Sequence, residues 1–194
     1  MDVEKIREAL GKEFAFIYKE ISPVIKDLKL NKKAKILDIG TGMGRMAITL
    51  ALNKYNVITG EPEDDKSKYA KQNWLESAKK VKVEHLITYT PFNAEELPFE
   101  DSSFDAVFIM GAMHHIDDKK ASLKECKRVL TLGGVICIFE PNQEALIFIR
   151  EKKFPDHPDS VDPREYAQDL HLSVELIERP FYDTFILKKN VKKK

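Results

Sequence analysis

The sequence predicts an α/β fold in which a mainly parallel sheet alternates with helices. The first indication is the stretch 35–52, KILDIGTGMGRMAITLAL, where a short apolar run leads through alternating glycines into apolar residues at helical spacing. The second is a β-rich run at 55–60, whose distance from the first suits one βαβ crossover. The third is that further apolar runs and helical patterns alternate along the rest of the chain.

The glycines of the first stretch predict a ligand cradle. Gly40, Gly42 and Gly44 stand where a strand ends and a helix begins, and glycine tolerates positive φ and close approach of a ligand to the backbone. A dinucleotide fingerprint would need its third glycine at position 45, which is Arg45, and no P-loop pattern occurs. Asp38 precedes the glycines, and its carboxylate suits a ligand with a positive amino group better than a polyphosphate.

An acidic residue follows the second predicted strand. Glu61 lies about twenty positions after the cradle, where an acidic residue of a βαβ unit hydrogen-bonds ribose hydroxyls. We therefore expect Glu61 to hold the ribose of a nucleoside-containing ligand.

Several motifs resemble those of one enzyme family. They are D-x-G-x-G-x-G at 38–44, the run Asn93-Ala94-Glu95-x-Leu97-Pro98-Phe99 with Ser103-Phe104-Asp105, and L-x-E-x-x-R-V-L-x-x-G-G at 123–134. In this order they resemble the motifs of class I S-adenosylmethionine-dependent methyltransferases, in the small-molecule branch. Asn93 departs from the family's usual Asp, but its side-chain oxygen can still accept a hydrogen bond from the adenine amino group.

The resemblance implies a specific architecture and cofactor. It implies a three-layer α/β/α fold, with a doubly wound seven-stranded sheet in the order 3-2-1-4-5-7-6, strand 7 antiparallel, and helices on both faces. The implied cofactor is S-adenosyl-L-methionine, which leaves as S-adenosyl-L-homocysteine. The residues expected to bind it are Asp38, Gly40, Thr41, Gly42, Gly44, Glu61, Pro62, Asn93, Ala94, Met110 and Gly111.

We expect a single methyltransferase domain over 1–194. It would consist of an N-terminal helical segment (1–33), a cofactor-binding core (34–189) and a basic tail (190–194). The N-terminal segment is interpreted as a structural strap or as a lid over substrate. Within it, Ser22 and Pro23 predict the start of a second short helix.

The remaining elements follow from periodicity and capping residues. Strands are predicted at 81–89, 106–110 and 135–140, and a closing hairpin at 173–179 and 182–188. Helices are predicted to begin at Asp64 or Asp65, at Asp117 and Asp118, and after Asn142. Trp74 is expected to be a core residue.

The histidines provide the candidate catalytic groups. His114 and His115 follow the fourth predicted strand, and either one is a candidate general base; the alternative is that they line the cofactor or hold the loop. We expect no metal site, because neighbouring side chains in an extended turn diverge. His157 falls in a proline-containing loop and is interpreted as solvated; the alternative is that it faces substrate.

Composition limits the partners. Lys and Arg total 32, as do Asp and Glu, so no net charge attracts the chain to nucleic acid or lipid. Cys126 and Cys137 are expected to be buried thiols of a reducing compartment, and the charged start of the chain is unlike a signal, so a cytoplasmic protein without a membrane span is expected. Oligomeric state is not predicted.

The methyl acceptor is interpreted as a small molecule. The Asn/Asp-Pro-Pro-Tyr/Phe run of many nucleobase methyltransferases is absent, since MGAMHH (110–115) stands there. Two alternatives stay open: a nicotinamide-dependent oxidoreductase, which Arg45 disfavours, and a protein that binds S-adenosylmethionine without catalysis.

Overall fold

The strands of the protein form one seven-stranded sheet. A computed structural model of the chain describes residues 1–66 and 73–190. The strands are β1 (Ile36–Ile39), β2 (Val57–Gly60), β3 (Ile87–Tyr89), β4 (Phe104–Met110), β5 (Leu130–Pro141), β6 (Leu172–Ile177) and β7 (Tyr182–Lys189). Their order is β3-β2-β1-β4-β5-β7-β6, and β7 is antiparallel to both β5 and β6. The predicted sheet order, the antiparallel seventh strand and the closing hairpin are confirmed.

Helices alternate with most of these strands. In the described residues they are α1 (Val3–Leu10), α2 (Lys12–Asp27), α3 (Arg45–Leu52), α4 (Trp74–Lys80), α5 (Lys119–Val129), α6 (Gln143–Lys152) and α7 (Arg164–Ala167). Asp118 caps α5 by accepting a hydrogen bond from Ala121 N at 2.8 Å, and Asn142 caps α6 by accepting one from Ala145 N at 3.0 Å. The predicted starts of these two helices are confirmed.

The chain divides into two compact units, Met1–Phe92 and Asn93–Lys194. In the first unit β2 pairs in parallel with both β1 and β3. In the second unit β4 pairs in parallel with β5, and β7 joins β5 to β6. Because parallel neighbours bring their carboxyl ends to one edge of a sheet, the loops that follow such strands within one unit start side by side.

Helix α2 continues through a predicted boundary. Pro23 lies inside the helix, so the prediction that Ser22 and Pro23 start a second helix is wrong. A proline in a helix interior costs about 3 kcal/mol because it removes a backbone donor and crowds the preceding turn. Val24 and Ile25 beyond it are buried, and their burial outweighs that local cost. Four further apolar residues, spaced as one face of a helix, are also buried: Phe14, Ile17, Tyr18 and Ile21.

Two elements of the first unit differ from the predictions. The strand predicted over 81–89 is limited to β3, because Lys82 has a left-handed φ of 58° and a 3-10 turn occupies Glu84–Leu86. The helix predicted to start at Asp64 or Asp65 would cross 67–72, which lies outside the described residues. The next helix that the structure describes, α4, begins at Trp74.

Other expectations concern burial. Cys126 and Cys137 are free thiols and fully buried, as predicted. Trp74 is only half-buried and stacks on Tyr89 at a ring-centroid distance of 6.1 Å, so it is not the core residue expected. In the ranges 1–66 and 73–190, no helix is long and apolar enough to cross a membrane.

Candidate functional site

The glycine cradle (Gly40, Gly42 and Gly44) connects β1 to α3. All three glycines have left-handed φ angles, 88°, 45° and 74°, which residues with a Cβ rarely adopt. Gly40 N donates to Gly60 O at 2.9 Å, so the bend starts from the carboxyl ends of β1 and β2. The bend therefore has the conformation that the spacing of the glycines predicts.

A polar network lies behind the cradle in the first unit. Thr59 Oγ1 donates to Asp38 Oδ2 at 2.8 Å and lies 2.9 Å from Thr41 Oγ1. Glu61 Oε2 accepts a hydrogen bond from Gly42 N at 2.9 Å. The strand ends thus bring Asp38, Thr41 and Glu61, three of the predicted site residues, to the cradle.

Asp38 keeps one unsatisfied oxygen. Asp38 is 1% exposed, and its Oδ1 has no hydrogen-bond partner among the described residues. The pKa of this carboxyl is raised from 3.8 to about 7, chiefly by burial. The hydrogen bond from Thr59 and the nearby backbone N–H of Ala47 oppose the increase, and the charge of Glu61 adds to it. A buried acceptor without a donor is satisfied by a ligand that brings an N–H group or a positive charge.

Two glycines permit close packing around the cradle. A Cβ on Gly60 would lie 1.9 Å from Thr90 O, and one on Gly44 would lie 2.8 Å from Trp74 Cβ. Glu61, which follows Gly60, depends on this close approach for its position. Pro62, another predicted site residue, is half-buried, and its carbonyl accepts a hydrogen bond from Asp65 N.

The other predicted cofactor residues belong to the second unit. Asn93 is exposed, and its Oδ1 accepts a hydrogen bond from Glu95 N at 2.9 Å, which forms an Asx turn. Ala94 is buried. Met110 ends β4, and Gly111 follows it with a φ of 56° while its N–H donates to Phe139 O at 2.8 Å. A role in cofactor binding for these residues stays a prediction.

The L-x-E-x-x-R-V-L-x-x-G-G motif at 123–134 contributes a second polar network, here named the Arg128 clamp. Arg128 Nε and Nη2 donate to the two carboxylate oxygens of Glu125 at 2.8 and 2.7 Å. Its remaining N–H groups donate to Leu97 O at 2.9 Å, Phe99 O at 2.7 Å and Asp101 Oδ1 at 2.8 Å. Every guanidinium donor is therefore used, and the clamp fixes the loop after Asn93 to α5.

The candidate catalytic histidines lie near the carboxyl ends of β4 and β5. His114 Nδ1 is 2.6 Å from Glu140 Oε2, and both side chains are 1% exposed. His114 Nε2 and Glu140 Oε1 have no hydrogen-bond partner in the part of the chain that the structure describes. Glu140 therefore orients the imidazole of His114 and leaves its second nitrogen available for chemistry.

A third histidine completes a histidine cluster (His114, His115 and His157). The ring centroid of His114 lies 4.2 Å from that of His115 and 4.9 Å from that of His157. The prediction that His157 is solvated is wrong, because it is 8% exposed. The expectation that the neighbouring pair diverges is also wrong, since Met113–His115 forms a 3-10 turn rather than an extended one.

Sequence reasoning missed three of these residues for different reasons. Thr59 had a usable signal, since parallel β1 and β2 put it in register with Asp38. Glu140 had one too, as an acidic residue at the end of a strand parallel to β4. His157 had none, because its loop carries no pattern that reports where it packs.

Curated relatives match part of the chain. It is 34% identical over 125 residues to the demethylmenaquinone methyltransferase of Staphylococcus aureus, a match that covers 63% of this chain and 49% of the relative. The chain therefore spans about half the length of the curated relatives that it matches.

Solved structures share the fold. One is a candidate S-adenosylmethionine-dependent methyltransferase of Methanococcus maripaludis, with a TM-score of 0.73, 22% identity, and coverage of 98% of this chain and 93% of that one. Another is an S-adenosylmethionine-dependent methyltransferase of Aquifex aeolicus, with a TM-score of 0.66, 18% identity, and coverage of 96% and 98%. The family described as a methyltransferase domain matches residues 37–138, more than half of the chain, and the chain belongs to that family.

Proposed function

We propose that the protein is an S-adenosylmethionine-dependent methyltransferase that acts on a small molecule. The observation that carries the proposal is the glycine cradle with the buried, unsatisfied oxygen of Asp38 behind it. This arrangement suits a cofactor that carries a positive charge and an amino group, as S-adenosylmethionine does. Membership of the methyltransferase domain family supports the same cofactor.

In this proposal the residues of the first unit bind the cofactor. When bound, S-adenosylmethionine supplies an electrophilic methyl group on its sulfonium, so the chain has only to position the reactants and exclude water. The cradle supplies bare backbone, and Asp38 supplies an acceptor. Glu61 is assigned to the ribose hydroxyls, because its carboxylate already contacts the cradle through Gly42 N.

The second unit offers a candidate base. His114 Nε2 can accept a proton from the acceptor, while Glu140 stabilises the imidazolium that forms, because its carboxylate lies 2.6 Å from Nδ1. His115 is exposed, so its role would be to contact the acceptor. A base is required only for acceptors that carry an acidic proton at the methylated atom.

A small organic acceptor is supported by the relative from Staphylococcus aureus, whose name specifies demethylmenaquinone. Nucleic acid is not favoured, because the sequence has equal numbers of basic and acidic residues. We keep a single domain over 1–194 and a cytoplasmic location as predictions, which limited proteolysis and cell fractionation can test.

The experiment separates this proposal from the two alternatives. The midpoint of thermal unfolding is measured with S-adenosylmethionine, S-adenosylhomocysteine or NADH, and the formation of S-adenosylhomocysteine is followed with quinols and other phenols as acceptors. We expect both sulfur ligands, and not NADH, to raise the midpoint, and at least one acceptor to be consumed. Stabilisation by NADH alone would indicate an oxidoreductase, and binding without turnover on any acceptor would indicate a non-catalytic binding protein.

A further inference from the structure

The histidine cluster has the composition of a transition-metal site. His114, His115 and His157 each offer one ring nitrogen, and these three nitrogens all lie within 4.8 Å of one another. Neutral imidazole is a preferred ligand of Zn²⁺, and three histidines with a fourth position open to solvent form a known catalytic type of zinc site.

The distances require only a small closure. Zn²⁺ binds imidazole nitrogen at about 2.0 to 2.1 Å, so the nitrogens of a tetrahedral site lie about 3.3 Å apart. Since all three separations are within 4.8 Å, none exceeds that value by more than about 1.5 Å, which rotation of side chains can supply. His115 is exposed and can make this movement, while His114 and His157 are buried.

The surrounding groups orient the two buried ligands. His114 Nδ1 donates a hydrogen bond to the carboxylate of Glu140. The other ring nitrogen of His114, Nε2, has no partner in the described residues and is therefore the metal-binding atom. His157 Nδ1 lies 2.9 Å from Pro158 O, which makes Nε2 its metal-binding atom as well. Such carboxylate and carbonyl partners are the usual outer shell of zinc-bound histidines, because they fix the tautomer and raise the basicity of the ligand.

The loop that carries His157 is held in place at several points. Arg150 of α6 donates through Nε and Nη2 to His157 O at 2.9 and 2.8 Å. Ser160 Oγ donates to Pro141 O, and Val161 N approaches Glu140 Oε2 at 3.4 Å. The guanidinium of Arg150 is itself paired with Asp159 at 2.8 Å, which partly offsets its positive charge near the cluster.

We propose that His114, His115 and His157 form a binding site for one divalent transition-metal ion of the Zn²⁺ class. This inference goes beyond the proposed methyl transfer and does not rest on it, because binding is measured with the metal alone. Metal binding and a base role use the same lone pair of His114 Nε2. A chain saturated with Zn²⁺ therefore has no free base at this position.

Zinc binding by the full, untagged chain tests the proposal. The chain is stripped with a chelator, titrated with Zn²⁺ in a calorimeter, and loaded with Co²⁺ to record the visible absorption of a tetrahedral site. We expect one ion per chain with a dissociation constant below about 1 μM, and intense Co²⁺ bands. Cys126 and Cys137 cannot substitute as ligands, because both are fully buried.

Variants identify the ligands. His115→Ala carries little risk of misfolding because His115 is exposed, and we expect it to weaken Zn²⁺ binding at least 100-fold; His157→Ala should act similarly. Glu140→Gln should weaken binding about 10- to 100-fold through the outer shell, with stoichiometry retained. His85→Ala, which removes an exposed histidine outside the cluster, should leave affinity unchanged.

The result that overturns the proposal is equally specific. If His115→Ala and His157→Ala bind Zn²⁺ as tightly as the wild type, or if wild-type binding is weak and involves several ions, exposed side chains are the ligands and the site is rejected. Because neither arm uses S-adenosylmethionine, failure here leaves the proposed function untouched, and absence of methyl transfer leaves the metal site untouched.

Discussion

Two polar networks of the second unit, the Arg128 clamp and the histidine cluster, differ in whether their hydrogen-bonding capacity is used. Every N–H of Arg128 has an acceptor, and its side chain is 30% exposed. In the described residues, His114 Nε2 and Glu140 Oε1 have no partner, although both side chains are 1% exposed. Leaving a buried polar atom unpaired costs about 1 to 3 kcal/mol, so such atoms are rare unless they serve a function. The clamp is therefore a structural network, and the histidine cluster is the candidate for chemistry.

The largest expected effect separates orientation from chemistry at His114. In His114→Asn the side-chain amide can still donate to Glu140, but the ring nitrogen Nε2 is lost. We expect turnover to fall by about 10² to 10⁴ with an acceptor that needs deprotonation, while S-adenosylmethionine affinity stays unchanged. Single-turnover kinetics and calorimetry measure the two quantities.

The matched control for that variant is His114→Ala, which removes the imidazole partner of Glu140 and leaves its buried carboxylate only the long contact from Val161 N at 3.4 Å. It should lower the free energy of unfolding by about 3 kcal/mol or more, whereas His114→Asn should stay within about 1 kcal/mol of the wild type. Full turnover in the Asn variant would show that the network is structural, like the clamp.

The next effect tests the clamp itself. Arg128→Ala removes a fully used guanidinium, so the carbonyls of Leu97 and Phe99 lose their Arg128 donors. Glu125 loses both guanidinium hydrogen bonds and keeps only the one from Leu97 N. We expect the free energy of unfolding to fall by about 3 kcal/mol in urea titrations, allowing for the partial exposure of the site. Arg128→Lys keeps the charge but not the planar set of five N–H donors, so it should recover less than half of the lost free energy of unfolding. A loss below about 0.5 kcal/mol in Arg128→Ala would contradict the structural assignment.

A third prediction extends the comparison to Asp38, whose unsatisfied oxygen lies in the first unit. Its pKa is raised to about 7 in the folded chain, so the folded state retains a proton that the unfolded state releases near pH 4. Stability should therefore fall as pH rises through this interval, by about 2 to 3 kcal/mol between pH 5 and pH 8. Asp38→Asn has no proton to lose at this position. Between pH 5 and pH 8 its free energy of unfolding should therefore rise relative to that of the wild type by about 2 to 3 kcal/mol. Urea unfolding of both proteins without cofactor at pH 5 and pH 8 measures it, and parallel pH profiles would rule it out.

The smallest effect concerns Glu61, whose carboxylate is partly used by the cradle through Gly42 N. Glu61→Ala should weaken S-adenosylmethionine binding about tenfold or more, since a hydrogen bond to a charged group contributes about 1.5 to 3 kcal/mol. Calorimetry provides the affinity. The matched control is Glu63→Ala, which removes an exposed carboxylate two residues away and should change nothing. If Glu61→Ala binds S-adenosylmethionine as tightly as Glu63→Ala and the wild type do, Glu61 is not part of the site.

Much of the fold could be predicted because its signals are local. The glycine cradle, the caps at Asp118 and Asn142, and the hairpin of β6 and β7 each depend on a few neighbouring residues whose backbone preferences agree. The same is true of the buried cysteines, since Cys126 falls in a predicted helix and Cys137 in a predicted strand. Where a local signal was wrong, as at Pro23, burial of the following residues outweighed the local preference of the proline.

By itself, the sequence determined the order of the elements, the position of the cradle, and the acidic residues at the ends of β1 and β2. Tertiary structure alone decided which polar groups of the histidine cluster are satisfied. His114 meets Glu140 across 26 positions, and His157 reaches both of its histidine neighbours from a loop without a periodic pattern. Such contacts arise from parallel strands that end at one edge of the sheet and from the path of the loop between them. No local preference encodes that path, because the energy that selects it comes from burial of the whole segment.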